Sequence, residues 1–300
     1  MVSNRNSTLI LIPLALFFVY GCFQYFQSNA YSDKVVIILG TNAQGGVDRW
    51  KTSHEWEAER LSISNKQKYA DKYGYKLSLV DMSTRKRYSH EWREGWQKVD
   101  VVRQVMRENP QAEWFWWLDL NTFIMDMDVD ISKLFKNPQK YAHRSVEYLN
   151  PLNIKVDSPF ADTINSPIEF LIAQDCGGFS LGSFAIKKTA YSDLLLDSWW
   201  DPVFYEQNHM AWEHREQDCL EVLYSNQPWI RERMGFVEMR MLGGYSRTAC
   251  TETPNDKTMF WETGDWIANI ACDFIDWGCW ERYAELKQVY DKLNRPWWYL

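Results

Sequence analysis

The chain has 300 residues, 46% hydrophobic and 24% charged, a balance that suits a folded protein of one large or two small α/β domains. Its formal net charge of −7 excludes a general nucleic-acid binder, which needs surplus Lys and Arg to track phosphates. The 17 Trp and 16 Tyr are unusual, and such rings either fill a core or stack on sugars and bases.

Leu9 to Phe23 has no charged residue and follows Arg5; with Tyr25 and Phe26 it approaches the ~17 residues that cross a bilayer. No small-residue cleavage pattern follows, so an uncleaved signal anchor is expected. That reading makes residues 1–8 a cytosolic tail, 9–26 the transmembrane anchor, 27–33 a short stem and 34–300 a lumenal domain. The sequon Asn6-Ser7-Thr8 then faces the cytosol and stays unmodified. Cys176, Cys219, Cys250, Cys272 and Cys279 lie in a compartment that permits disulfides, and their odd number leaves at least one unpaired or intermolecular. Cys272 and Cys279 are nearest in sequence, but spacing does not fix connectivity. Zinc is not expected, for want of a Cys-x-x-Cys or paired-His motif.

Val35 to Leu39 reads as a β-branched strand entering the turn Gly40-Thr41-Asn42, a place where α/β proteins seat nucleotides, although Gly40, Gly45 and Gly46 lack dinucleotide or P-loop spacing and a plain turn is the simpler reading. Thr52 and Glu55 have capping-box spacing ahead of a helix whose face carries Trp56, Leu61, Tyr69 and Tyr73 and which ends at Gly74. Tyr75, Leu77 and Leu79 alternate as a second strand; Trp96, Val99, Val102 and Met106 then mark a helix stopped by Asn109-Pro110. Strand, helix, strand, helix, strand predicts a parallel, Rossmann-like half with right-handed crossovers.

The third strand of that half is the apolar run Trp114 to Leu118, which delivers Asp119 and, two positions on, Asn121. A carboxylate at the C-terminal edge of an open α/β sheet sits at the ligand crevice. Because side chains alternate across a strand, Asp119 and Asn121, two apart, share a face and could hold one cation; the alternative is a strand stop and a surface acid. Asp126, Asp128 and Asp130 lack the Gly and Glu of a calcium loop and read as a solvated turn. Asn137 to Pro167 is expected to be long and irregular, as binding loops or lids often are.

Gln174-Asp175-Cys176-Gly177-Gly178 precedes an apolar strand from Phe179 to Ile186. Paired glycines admit a ligand close to the backbone, with a β-bulge as the competing explanation. Tyr191, Leu194, Leu195 and Trp199 predict a helix ended by Asp201-Pro202, and Glu213 to Tyr224 another, with Glu216, Gln217 and Asp218 early in it. Gly235 to Met239 and Trp266 to Ala271 are strand-like, and Tyr283, Leu286, Tyr290 and Leu293 mark a terminal helix before Pro296.

Four stretches together, Trp-Phe-Trp-Trp-Leu-Asp-Leu-Asn-Thr-Phe-Ile-Met, Tyr88 to Trp96, Gln174 to Gly178 and Trp212 to Asp218, resemble glycosyltransferase family 34. Its fungal members are Golgi α-1,2-galactosyltransferases and α-mannosyltransferases, and its plant members are xyloglucan xylosyltransferases. The resemblance spans nearly all of residues 34 to 295. It implies a GT-A fold, one α/β nucleotide-sugar-binding domain, and transfer with retention at the anomeric carbon. By the same resemblance Asp119, Asn121 and Asn269 hold a divalent cation, usually manganese, which helps a departing diphosphate. Asn121 replaces the second Asp of Asp-x-Asp and Asn269 a His of the plant members, both weaker donors than the groups they replace. Glu216, Gln217 and Asp218 match the segment near the anomeric carbon, where an oxygen stabilises an oxocarbenium-like ion pair or, alternatively, attacks in a double displacement. Gly40, Thr41 and Asn42 would contact the nucleotide; Gln174, Asp175, Gly177 and Gly178 would line the sugar and acceptor side, and Arg240 would meet a phosphate. The resulting expectation is a Golgi type II enzyme moving galactose from UDP-galactose onto mannose-containing glycans, with GDP-mannose as the alternative donor. A rival class is a non-catalytic subunit of a glycosyltransferase complex.

Overall fold

The computed structural model describes residues 31–41, 53–82, 94–156, 165–246, 249–250, 258–270 and 277–295. The expected tail and anchor, the sequon, Asn42, Thr52, most of the Tyr88 to Trp96 stretch and Cys272 lie outside them. Among the described residues no helix is long and apolar enough to cross a membrane.

Strand β1 (Val35–Thr41), helix α1 (Ser53–Tyr73), strand β2 (Lys76–Asp81), helix α2 (Glu94–Glu108) and strand β3 (Trp114–Leu118) follow the expected order. β1 pairs in parallel with both β2 and β3. Every residue of β3 is buried, because the strand carries a hydrophobic layer on each face. On one face Phe115 and Trp117 join Val36 and Ile38 of β1 and Trp96, Val99, Val102 and Val105 of α2. On the other, Trp114, Trp116 and Leu118 join Val35, Ile37 and Tyr69 of α1. The Trp116 indole donates to Ser183 Oγ at 3.0 Å and lies edge-on to Tyr69, so the tryptophans of this strand are core.

Asp119 to Asn121 does not prolong β3. The chain turns there, with Thr122 donating its amide and hydroxyl to the Asp119 carbonyl at 3.2 and 2.7 Å, and Thr122–Ile124 becomes β4 in a second sheet. The acidic run after it is structural: Asp130 accepts from the Ser132 amide at 2.8 Å, at the start of the short helix α3 (Ser132–Lys136), and from the Tyr75 hydroxyl. The expected irregular stretch contains two 3-10 turns and a bridge from His143 to Phe236, then gives way to β5 (Phe170–Asp175).

β5 and β6 (Gly178–Lys187) form a hairpin around Cys176 and Gly177, and β6 also lies antiparallel to β3. The main sheet therefore has the mixed order β2-β1-β3-β6-β5-β7. The β5–β6 register jumps so that Ile172 faces Phe184 but Ala173 faces Ser180, leaving Leu181, Gly182 and Ser183 as a bulge. α4 (Ala190–Trp199) follows, and then α5 (Pro202–Asn208). Asp201-Pro202 stops α4 but also starts α5: Asp201 Oδ1 accepts from Phe204 N at 2.7 Å, and proline suits the first helical position. α6 runs Glu216–Asn226, three residues later than expected, since Arg215 takes a positive φ of 56° that a helix interior forbids. α7 (Pro228–Arg231), β7 (Met234–Val237), α8 (Met239–Leu242), β8 (Gly244–Tyr245), β9 (Ile267–Asn269) and α9 (Trp277–Leu293) complete the chain. The second sheet, β4-β9-β8, packs Phe123 and Ala268 against Ala58 of α1 and Tyr283 and Leu286 of α9. Cys176 and Cys250 form a disulfide, and Cys219 is a buried free thiol.

Replacing Trp116 by Ala removes a fully buried indole and strands the Ser183 hydroxyl. The expected loss is about 3–5 kcal/mol of unfolding free energy, read from a denaturant midpoint.

Candidate active site

The C-terminal end of β3, the bulge of β6, the hairpin turn at Gly177, the first turn of α6 and the two short strands β8 and β9 meet at one edge. The Asp119 amide donates to the Gly182 carbonyl at 2.8 Å, fixing the turn to the bulge. Trp117 Nε1 donates to Asp119 Oδ1 at 2.6 Å, which orients the carboxylate. A side chain at Gly182 would lie 2.5 Å from Asn269 Nδ2 and 3.7 Å from Asp119 Oδ2, so glycine is what leaves room for the Asn269 amide here.

From Asp119 a circuit of polar contacts follows this edge of the fold as far as Asn269. Lys98 Nζ of α2 lies 3.5 Å from Asp119 Oδ1 and 3.3 Å from Glu216 Oε1. Beside Glu216, Gln217 Nε2 donates to the Gly177 carbonyl at 2.7 Å and reaches Glu221 Oε1 at 3.3 Å. The Gly177 amide donates to Asp175 Oδ1 at 2.8 Å, and the Tyr245 hydroxyl donates to Asp175 Oδ2 at 2.6 Å. Tyr245 pairs with Asn269 across β8 and β9, and the side chains of Asn269 and Asp119 both border Gly182. Asp218 turns back onto its own helix start, accepting from the His214 amide at 2.9 Å and lying 3.4 Å from His214 Nδ1.

Burial sets the charges of this edge. It pushes the Asp175 carboxyl up, against the Tyr245 and Gly177 bonds that favour the ionised form. It drives the Tyr245 hydroxyl well above its usual range, reinforced by Asp175, so the phenol stays a donor. Burial opposes the charge of Lys98, but Asp119 and Glu216 together outweigh it and the net shift is upward. A second buried amine, Lys66 of α1, donates to the Thr122 carbonyl at 2.7 Å beneath the turn; burial lowers it to about 7 while Asp119 works the other way.

The circuit thus unites Asp119, Asn269, Glu216, Gln217, Asp175 and Gly177. Asn121 joins it through the turn. Its backbone carbonyl accepts from Ile270 N at 3.0 Å, and its buried Oδ1 has no hydrogen-bond partner among the described residues. The remaining sequence candidates make other contacts. Gln174 is 2% exposed and joins the Val146 carbonyl to the Asn150 amide. Gly178 has a φ of 115°, and a side chain there would collide with Glu221 and Leu152. Gly40 packs against Met82 and Trp117, and Thr41 is buried with its carbonyl taken by the Met82 amide. Arg240 makes a two-pronged pair with Asp265 at 2.7 and 2.8 Å, with Glu262 at 3.4 Å. Lys98, Tyr245 and Glu221 were not foreseen. A lone cation beside the apolar face of α2, and an acid one turn after Gln217, were the signals available.

The groups available to a cation at this edge are weakly charged: one carboxylate, the orphaned Asn121 oxygen and the side-chain amide of Asn269, whose nitrogen is the atom nearest Gly182. Among the described residues no group of three or more His, Cys, Asp or Glu could hold a metal by itself. Such a set fits a hard divalent ion that takes its remaining ligands from a bound diphosphate.

Residues 31–283 match the galactosyl transferase GMA12/MNN10 family. The chain belongs to this family. The glycosyltransferase is 50% identical over 269 residues to the probable alpha-1,6-mannosyltransferase MNN10 of Saccharomyces cerevisiae, covering 88% of this chain and 68% of that protein. It is 40% identical over 247 residues to an uncharacterized alpha-1,2-galactosyltransferase, C637.06, of Schizosaccharomyces pombe, covering 80% and 71%. In structure it resembles a glycosyltransferase involved in glycosylation of the major capsid of PBCV-1, with a TM-score of 0.52 over 84% of this chain and 98% of that one, at 13% identity. That likeness bears on the fold alone, an α/β fold of the GT-A kind. The chain is a hexosyltransferase, as its family resemblance implied.

Glu221 gives the site a measurable signature. Burial raises its carboxyl to about 7 from an ordinary 4.5, opposed by the Phe179 amide bond at 2.7 Å and assisted by Asp218. A raised carboxyl stabilises the fold fully below the unfolded value, and that contribution is lost as pH rises through the folded one. We therefore expect Glu221→Gln to match the wild type in denaturant midpoint near pH ~4 and to exceed it near pH ~8. An identical difference at both values would contradict this.

Proposed function

We propose that the enzyme transfers a hexose in α-linkage, with retention, from a nucleotide sugar to mannose-containing glycans, and that the circuit from Asp119 to Asn269 is where transfer occurs. GDP-mannose is the first reading of the donor. The observation that carries it is the 50% identity, across 88% of the chain, to a protein named as a mannosyltransferase. UDP-galactose, the donor put first from sequence alone, stays as the second reading because a relative at 40% carries a galactosyltransferase name.

In this reading the diphosphate lies at the Asp119 turn. Asp119, with the oxygens of Asn121 and Asn269, would hold a divalent cation, in keeping with manganese. When bound, that ion would supply charge neutralisation to a departing diphosphate. The sugar then faces the first turn of α6. Glu216 is engaged by Lys98 and Asp218 by His214, so both carboxylates are held away from a covalent attack. Gln217, braced by Gly177 and Glu221, is the neutral dipole left to meet positive charge on the ring. This arrangement favours a short-lived ion pair over a double displacement. Residues 9–26 are proposed to anchor the enzyme in the Golgi membrane with its catalytic domain in the lumen, and association with other glycosyltransferases is compatible with that location.

Two measurements test the reading. The purified chain, given each nucleotide sugar and an α-mannoside acceptor, is expected to turn over GDP-mannose; turnover of UDP-galactose alone reverses the donor, and inertness toward both sinks the reading. Asn121→Asp adds a charged ligand and is expected to tighten manganese binding about tenfold by calorimetry, whereas unchanged or weaker binding would remove the cation from this turn.

A further inference from the structure

Lys98 is 8% exposed, and its ammonium has three partners, one on each of three elements. It donates to the Leu181 carbonyl at 3.0 Å, a group freed from sheet pairing by the bulge of β6. It sits 3.5 Å from Asp119 Oδ1 at the end of β3 and 3.3 Å from Glu216 Oε1 at the start of α6, with the Trp117 ring centroid 5.5 Å away. These elements are joined to α2 by no backbone pairing, so the ammonium is a direct polar tie between them.

One turn earlier on the same helix, Gly95 leaves a notch for Glu216. A side chain at Gly95 would fall 1.7 Å from Glu216 Oε2 and 3.2 Å from Oε1. Residues three apart share a helix face, so α2 offers Glu216 a vacancy at Gly95 and a charge at Lys98 together. The Asp119 oxygen that faces Lys98 is also the one bonded to Trp117 Nε1, at 2.6 Å, which leaves Oδ2 toward Gly182 and Asn269. Partnered on all sides by protein, Lys98 holds the groups around the crevice and does not itself reach into it.

We propose that Lys98 is a positioning residue which fixes Asp119 and Glu216 relative to one another and so sets the diphosphate end of the site against its sugar end. The inference rests on the transfer site proposed above. Misplacing either carboxylate leaves donor binding through the rest of the site largely intact but spoils alignment for bond cleavage.

The test uses the purified full chain with its active donor. Lys98→Met is expected to lower kcat about 100-fold, the loss that an ångström-scale misplacement brings, while donor KM shifts by less than about threefold. Lys98→Arg keeps the charge and is expected to recover at least about tenfold of that loss, though its planar fork fits a compact site imperfectly. Because Lys98 acts in part through Glu216, the double variant Lys98→Met, Glu216→Gln is expected to fall no more than about threefold below the worse single variant. Should Lys98→Met fail to fold, Gly95→Ala displaces Glu216 with the lysine still present, and a comparable fall in kcat is expected. A folded Lys98→Met with kcat near that of the wild type, fully multiplicative losses in the double variant, or an unaffected Gly95→Ala would each overturn the proposal. A crystal structure of Lys98→Met adds a readout independent of turnover. Glu216 still seated against Gly95 there overturns the positioning role, whereas a wild type inert toward both donors overturns the transfer reading instead.

Discussion

A single backbone hydrogen bond, from the Asp119 amide to the Gly182 carbonyl, ties the end of a fully buried strand to the irregular stretch of its neighbour. β3 cannot shift, because tryptophans and Phe115 lock it into hydrophobic layers on both faces. β6 would normally continue its ladder past this point. The three-residue bulge interrupts the ladder and releases the Leu181 and Gly182 carbonyls toward the crevice, where a lysine and the Asp119 turn take them up. The site is thus built by withholding regular pairing at one place in an otherwise closely packed sheet.

From that junction the polar groups propagate as a circuit in which nearly every member holds the next. Asp119 is held by Trp117 and Lys98, Glu216 by Lys98, Gln217 by Gly177 and Glu221, and Asp175 by Gly177 and Tyr245. The Cys176–Cys250 disulfide pins the hairpin turn to the chain that follows β8. Buried networks of this kind are rigid when satisfied, and the orphaned oxygen of Asn121, one of several such buried polar atoms among the described residues, is the one at the Asp119 turn. A gap at the position where an oxygen ligand is wanted is what a weak cation site completed by substrate should look like. The two asparagines reduce the negative charge there, and Lys98 compensates part of what remains.

The parallel half of the fold was legible because its strands are short apolar runs and its helices show clear periodicity, both local properties. The family resemblance rested on the Trp-rich strand and on residues around Gln217, and these do converge. The misses share a cause. β5 was hidden behind a proline-containing stretch, the bulge in β6 depends on a partner strand, and Asp201-Pro202 is equally a helix stop and a helix start. Lys98 meets groups 21 and 118 positions away in sequence, with no repeat or spacing to announce them. Gly178 and Gln174, expected from the resemblance to line the sugar and acceptor side, make buried protein contacts with Glu221, Leu152, Val146 and Asn150. Small and polar residues near a site are ambiguous until packing is known.

The central claim is that transfer takes place inside this circuit. The most direct measurement is a crystal structure of the enzyme with a nucleoside diphosphate, GDP or UDP, and manganese. The account predicts the diphosphate at the Asp119–Asn121 turn, with the ion contacting Asp119 and the Asn121 oxygen, and the leaving-group phosphate directed toward Gln217. A diphosphate bound elsewhere, with Asn121 still unpartnered and the circuit closed to it, would contradict the account.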